Sequence, residues 1–263
     1  MECGSSMRTS RVLDKLRAGE VASVFKLNLE TARAVEIAAL AGYDAIWADM
    51  EHTASDWSLV EAQIYAGKAH NCDTMVRVAR GGYSDYVRPL EMDAAGIMVP
   101  HIMSLEDAKN VVRMTRFHPI GRRPVDGGNA DGEYCGCDFQ EYLRFANGNR
   151  FLAVQIEDPE PLDDLEEIAQ LDGIDIIFFG PADFSQGIGA PGDFSHPLLI
   201  ETRRRVADVC RKYGKFAGTT SSAQNIQEWV DMGYRFLSLG ADVLALRPYC
   251  DELMKVIRGL KVP

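Results

Sequence analysis

Basic residues are in the minority in this 263-residue sequence: 28 lysines and arginines stand against 39 aspartates and glutamates, a net charge of −11. That imbalance disfavours nucleic acid or an anionic membrane surface as the main partner. It leaves room for a small anionic substrate, which needs only local positive groups or a metal. Long apolar runs are missing as well. None approaches the roughly 20 residues of a membrane helix, and the opening stretch MECGSSMRTSRVLDKLRAGE holds no apolar core for a signal peptide. Cysteines are few and scattered, at Cys3, Cys72, Cys135, Cys137, Cys210 and Cys250, with no CxxC and no cysteine–histidine cluster of zinc spacing. The one close pair, Cys135-Gly136-Cys137, is poorly spaced for a disulfide or a zinc site, so reduced thiols in a cytoplasmic protein are expected. No glycine-rich nucleotide turn follows the first apolar segment, which argues against a doubly wound dinucleotide fold and against any nucleotide or organic cofactor.

What is present is a regular alternation. Strand-like segments fall at 22–28, 45–50, 73–78, 96–100, 151–156, 173–179, 215–220 and 235–242. Helical periodicity fills the intervals, over 29–43, 57–70, 84–94, 104–116, 161–171, 197–213 and 222–233, with further helices at 11–19 and 243–260. Eight strands alternating with helices, with no Pro/Gly/Ser linker, predict one (β/α)8 TIM barrel over residues 1–263, its first ten residues flexible. One stretch breaks the rhythm. Residues 118–138, HPIGRRPVDGGNADGEYCGCD, are long, polar and glycine-rich, and are expected to fold over or beside the site. A shorter irregular stretch, 187–197, follows the sixth strand and belongs on the catalytic face.

The most informative region is Phe151–Asp183. FLAVQI runs into Glu157, and IDIIFF runs through Gly180-Pro181-Ala182 into Asp183. Continuous apolar runs read as parallel strands buried on both faces, and ligand sites of such folds lie at the carboxyl ends. Two carboxylates meeting there suit Mg²⁺ or Mn²⁺, with positions left for substrate and water. The bland alternative is that each acid caps the helix that follows. The second strand adds Asp49-Met50-Glu51-His52. His52 is a candidate general base whose tautomer Asp49 would fix. Arg77, on an otherwise apolar strand, needs an anionic partner, either a structural carboxylate or a substrate oxyanion. The Gly180–Asp183 turn offers backbone N–H groups to a substrate carboxylate. A Schiff-base route would need a desolvated lysine; only Lys26 is suitably placed, and no activating partner is evident.

Together, GYDAIWADMEH (42–52), the VRV around Arg77, VQIED (154–158) and GPADFSQGIG (180–189) resemble the HpcH/HpaI aldolases, metal-dependent pyruvate aldolases. MVPH (98–101) and FLSLGAD (236–242) also fit. The resemblance runs from about Val24 to Leu253 and reaches, more distantly, macrophomate synthase. It implies a barrel, a hexamer built as a trimer of dimers, and a last helix exchanged between subunits. It further implies that Glu157 and Asp183 bind Mg²⁺, Mn²⁺ or Co²⁺, which pyruvate chelates. Arg77 would contact the keto oxygen, and the amides of Ala182 and Asp183 the carboxylate. His52, oriented by Asp49, would act as base through a water on the metal, with Gln155 as a polar neighbour. Two features depart from the family. Glu91 stands where many members carry an aspartate at a subunit border near the site, and Pro124 follows Arg123 in place of a glycine-arginine-glycine pattern. The expected reaction is cleavage of a 4-hydroxy-2-oxo acid to pyruvate and an aldehyde. Oxaloacetate decarboxylation on the same residues, or a non-catalytic barrel binding a small acid, are the alternatives.

Overall fold

The computed structural model describes residues 7–261. Its eight strands are β1 Ala22–Lys26, β2 Ala45–Asp49, β3 Asp73–Arg77, β4 Gly96–Val99, β5 Phe151–Ile156, β6 Ile176–Phe179, β7 Phe216–Ser221 and β8 Tyr234–Ala241. All pair in parallel with their sequence neighbours, and β8 closes on β1, giving a closed barrel in sequence order. The helices are α1 Arg11–Arg17, α2 Ala32–Leu40, α3 Trp57–Ala69, α4 Tyr83–Glu91, α5 Leu105–Thr115, α6 Phe139–Asn149, α7 Leu165–Gln170, α8 Pro181–Gly187, α9 Pro197–Tyr213, α10 Ile226–Met232 and α11 Asp242–Arg258. The doubly wound alternative is thereby ruled out.

Two apolar layers follow from strand alternation. Inward residues such as Val24, Trp47, Met75, Met98, Ala153, Phe178 and Phe236 fill the barrel, and Val12, Leu13 and Leu16 of α1 close its amino end. Outward residues such as Val76, Ile97, Val154, Ile177 and Leu237 pack under the helices. The amino end is further tied by ion pairs: Arg11 and Lys15 on Asp44, Arg8 on Asp73, Lys68 and Arg150 on Asp93, and Arg116 on Asp175. Residues 7–10, expected to be flexible, are instead held there. Met7 is buried, Arg8 Nη1 lies 2.6 Å from Asp73, and the Ser10 hydroxyl donates to Asp73 at 2.7 Å. Residues 1–6, and Cys3 with them, lie outside the described residues.

The irregular segment 118–138 is not at the barrel mouth. It follows α5, which descends from the carboxyl end of β4, so it begins at the amino end. There it forms a 3-10 turn, Ala130–Cys135, against α4 and α6. Buried Arg123 donates to Asp131 at 2.7 Å, Tyr142 donates to the same carboxylate at 2.8 Å, and Arg123 stacks over Phe117. The helix α6, which no strong periodicity announced, supplies Tyr142 and Ala146 to this satellite core. Cys135 and Cys137 are not joined by a disulfide.

Candidate active site

A cavity of about 420 Å³ opens at the carboxyl end of the barrel. His52, Arg77, Gln155, Glu157, Ala182 and Asp183 all line it, together with Lys26 and Trp47. The barrel thus gathers every candidate except Asp49, which lies just behind Arg77, and Glu91, discussed below. A larger groove of about 680 Å³ runs along α9 beside Arg204, Arg205 and Lys212, far from these residues. Its size reflects open surface, and it shares no residue with the site.

Glu157 is the electrostatic centre. Only 1% of it is exposed. It accepts the His101 amide at 2.9 Å and the Gln155 side-chain amide at 2.6 Å. Burial pushes its pKa up to about 7. The His101 amide and ring oppose that rise, while the charges of Glu51 and Asp183 add to it. The chain passes beneath it at Gly180, where a Cβ would sit 2.6 Å from Glu157 Oε2, so only glycine fits. Pro181 then starts α8 at a position where no amide is needed. The first helical bond of α8 is Phe184 N–H to Gly180 at 3.1 Å, which leaves the amides of Ala182 and Asp183 at the open end of the helix.

Arg77 finds its anion on the neighbouring strand. Asp49 and Arg77 are register partners across β2 and β3, so their side chains lie side by side. Nε donates to Asp49 Oδ1 at 3.0 Å and Nη2 to Oδ2 at 2.5 Å, a bidentate fork in a buried setting. Nη1 lies 3.0 Å from Glu51 Oε2, yet that oxygen makes no hydrogen bond among the described residues, so the contact is electrostatic. Trp47 lies under both cations, 4.6 Å from the guanidinium and 5.2 Å from Lys26 Nζ. Lys26 Nζ also sits 3.1 Å from Asp49 Oδ2. Burial raises the Asp49 pKa, but the Arg77 hydrogen bonds and the charges of Arg77 and Lys26 outweigh it, and the net shift is downward.

This arrangement corrects one expectation. Asp49 does not orient the His52 ring; its carboxylate is spent on Arg77 and Lys26, and it meets His52 only through the backbone amide at 3.5 Å. The reason is positional. Asp49 ends the strand facing Arg77, while His52 lies three residues on, in a bend. The acid nearest the ring is Glu51, whose Oε2 is 3.6 Å from His52 Nε2, and the imidazole is half exposed at the cavity wall.

Two residues gain importance. Glu51 touches Arg77, His52 and His101, and its period-two spacing from Asp49 was the available signal. His101 sits at φ 50°, in the left-handed region, with Nδ1 2.8 Å from Asp158 and Nε2 3.5 Å from Glu51. Burial alone would lower its pKa; the Asp158 hydrogen bond and the charges of Glu157, Asp158 and Glu51 raise it instead.

Glu91 ends α4 at the amino side of the barrel, in a separate cavity of about 330 Å³ with Trp57, Arg88 and Tyr134. Burial raises its pKa against the opposing charge of Arg123. Within one chain it does not reach the site. His70, His118 and His196 are also remote; His196 caps α9.

Among the described residues no group of three His, Cys, Asp or Glu side chains could hold a metal ion by itself. A cation at Glu157 and Asp183 would therefore draw its remaining ligands from substrate and water. The donors suit a hard divalent ion: carboxylate oxygens, one of them buried and reluctant to ionise, beside a buried Gln155 Oε1 with no hydrogen-bond partner among the described residues.

Comparison with known proteins places this geometry in context. Residues 23–248 match the profile of the HpcH/HpaI aldolase/citrate lyase family. A 2-keto-3-deoxy-L-rhamnonate aldolase of Escherichia coli O17:K52:H18 (strain UMN026 / ExPEC) is 30% identical over 261 residues, covering 98% of this chain and 96% of that protein. The HpcH/HpaI aldolase of Desulfitobacterium hafniense DCB-2 superposes with a TM-score of 0.88 at 28% identity, over 95% of this chain and 97% of the other. Macrophomate synthase, at 21% identity and a TM-score of 0.84 over 97% and 91% of the two chains, shares the fold.

Proposed function

Because the chain belongs to the HpcH/HpaI aldolase/citrate lyase family, we propose that it is a lyase that reversibly cleaves a 4-hydroxy-2-oxo acid to pyruvate and an aldehyde, with Glu157 and Asp183 holding a divalent cation, Mg²⁺ or Mn²⁺. The observation that carries this reading is the buried, hard-to-ionise Glu157 beside Asp183, in one cavity with a clamped arginine. Bound there, the cation would act as a Lewis acid toward the developing oxyanion.

The protein's own groups supply the rest. Asp49 holds the Arg77 guanidinium through Nε and Nη2, so its charge is fixed at the cavity wall before substrate arrives. That placement suits the keto oxygen of a 2-oxo acid. The amides of Ala182 and Asp183 receive the substrate carboxylate, and Gln155 keeps Glu157 in place through its 2.6 Å hydrogen bond. His52 takes the proton of the 4-hydroxyl. The C3–C4 bond then breaks, giving the aldehyde and the enolate of pyruvate, and the enolate takes up a proton at C3. Glu51 Oε2 lies 3.6 Å from the His52 ring. Lys26 is engaged by a carboxylate instead of lying in a desolvated pocket, which does not favour a Schiff-base route.

The same reading covers assembly. In α11 only Asp242 is buried, and Leu244, Leu246, Tyr249, Leu253, Val256 and Ile257 are exposed along a helix that projects from the barrel. A homo-oligomer, a trimer of dimers with α11 exchanged, would cover that face. No described helix is long and apolar enough to cross a membrane.

The test is direct. Metal-free protein is given a 4-hydroxy-2-oxo acid or oxaloacetate, then Mg²⁺ or Mn²⁺, and pyruvate is followed by a coupled assay. Metal-dependent pyruvate with an aldehyde co-product supports the proposal. Pyruvate from oxaloacetate alone indicates a decarboxylase. Turnover that survives EDTA and is trapped on Lys26 by borohydride overturns the metal reading.

A further inference from the structure

We propose that the groove beside the carboxyl end of α5 is a second binding site, for a small molecule carrying closely spaced phosphate groups. It lies apart from the barrel mouth and shares no residue with the candidate active site. The groove has a volume of about 580 Å³. Lys109 and Arg113 of α5 and His118 and Arg122 of the turn that follows stand along it, and Asp172 is the one acid among its lining residues. Val112, Pro119, Ile120 and Leu171 supply its apolar lining. In a chain of net charge −11, Lys109, Arg113 and Arg122 against a single acid are a local reversal of sign.

The backbone enforces this crowding. The Phe117 amide donates to Asn147 Oδ1 at 2.8 Å, and Asn147 Nδ2 donates back to the Phe117 carbonyl at 3.0 Å, which fixes where the chain leaves α5. Gly121 then lies against the helix end. A Cβ there would sit 2.7 Å from the Val112 carbonyl oxygen, so only glycine fits. Next, the Arg122 amide donates to the Arg113 carbonyl at 2.7 Å, which sets two arginines side by side. Lys109 precedes Arg113 by one helical turn and shares its face of α5. Like charges held in this way repel, and the helix dipole accounts for only one cation at its C-terminus. Among the described residues Lys109, Arg113, His118 and Arg122 make no ion pair and no side-chain hydrogen bond. The groove along α9 is different: there Lys212 pairs with Glu166 at 2.6 Å, and Glu201 and Asp208 line the same wall. Arginine forks match pairs of phosphate oxygens. Three cations with no carboxylate partner therefore suit a pyrophosphate-type group better than a single carboxylate.

The experiment is calorimetry on the full chain in EDTA, so neither a divalent cation nor turnover enters the result. Pyrophosphate is expected to bind at one site per chain with a micromolar Kd. Arg113→Gln combined with Arg122→Gln should weaken it roughly a hundredfold, about tenfold for each charge-assisted bond lost, and Lys109→Gln alone about tenfold. Arg204→Gln combined with Arg205→Gln, which removes two arginines from the α9 groove, should leave Kd unchanged. All these side chains are exposed, so the fold should be kept, which circular dichroism checks. ADP binding more tightly than pyrophosphate assigns Val112, Ile120 and Leu171 to the organic body of a phosphate ester; equal or weaker binding assigns the site to inorganic pyrophosphate itself. The proposal is overturned if neither probe binds, if the α5 variants bind as wild type does, or if the α9 control loses as much as they do. Citrate bound as tightly as pyrophosphate also overturns it. None of these outcomes depends on lyase activity, so this site and the proposed function stand or fall separately.

Discussion

Replacing Glu157 with glutamine isolates the electrostatic strain at the centre of the site. The carboxyl is pushed from 4.5 to about 7, chiefly by burial. That difference corresponds to about 3 kcal/mol between its two protonation states. Below pH 4.5 the group is protonated in both the folded and unfolded chain, and its contribution is fully retained. Between 4.5 and 7 the unfolded chain loses the proton while the folded chain keeps it, so stability falls as pH rises. Past 7 the loss is complete, about 3 kcal/mol in all, most of it between pH 5 and 8. Glutamine is a close steric match. Its carbonyl can still accept the His101 amide, and a flip of Gln155, whose Oε1 is unpaired, restores the second bond. Urea unfolding in EDTA should therefore show Glu157→Gln gaining about 2 to 3 kcal/mol on wild type between pH 5 and pH 8. Comparing the two proteins at each pH cancels the other titrations. At pH 8, Mn²⁺ should raise the wild-type midpoint and leave the variant unmoved. A stability difference that does not change with pH refutes the buried, raised carboxyl; a variant that still gains from Mn²⁺ refutes Glu157 as a ligand.

Three further outcomes are expected. His52→Ala should keep Mn²⁺ and pyruvate affinity, read by calorimetry, and lose about 10²- to 10⁴-fold in aldol kcat; unchanged kcat would remove His52 from the chemistry. Arg77→Lys keeps the charge but cannot span both Asp49 oxygens while facing the cavity, so kcat should fall about a hundredfold with Mn²⁺ affinity intact. A parallel loss of Mn²⁺ binding would show that Arg77 shapes the acid pair as well. Leu253→Glu combined with Ile257→Glu should lower the solution mass by light scattering while the circular dichroism of the barrel is kept; an unchanged mass would mean α11 is not what joins the subunits.

The barrel was legible because parallel strands buried on both faces leave a simple trace, apolar runs of four to six residues with turn residues at each end. Glu157, Asp183 and Arg77 were legible for a related reason: each interrupts such a run at its carboxyl end. What sequence could not supply was lateral placement. Asp49 has two neighbours that an isolated reading treats alike, His52 along the chain and Arg77 across it, and the β2–β3 register decides for Arg77. The segment 118–138 misled in a different way. Its length and glycine content marked it as irregular, but a loop that follows a helix starts at the amino end of a barrel, and there the buried cluster of Arg123, Asp131 and Tyr142 pins it while most of its residues stay exposed. Helix α6 was lost in the same place because Phe139–Asn149 carries only a narrow apolar stripe, with Tyr142 and Ala146 buried.

The two ends of the barrel distribute charge in opposite ways, and the contrast bears on the cation. At the amino end Asp44, Asp73, Asp93 and Asp175 are met by Arg8, Arg11, Lys15, Lys68, Arg116 and Arg150, so in this cluster cations outnumber acids and each of the four carboxylates is compensated. At the mouth Asp49, Glu51, Glu157, Asp158 and Asp183 face Lys26, Arg77, His52 and His101, so there acids outnumber lysine and arginine. Acids in excess at a partly buried site either take up protons or take up a cation. The raised pKa of Glu157 is the first of these responses, and it is a response that a bound divalent ion would reverse by displacing the proton. Metal uptake by this protein should therefore release protons near neutral pH, whereas compensation of the same acids by an arginine, as at the amino end, would leave nothing to release.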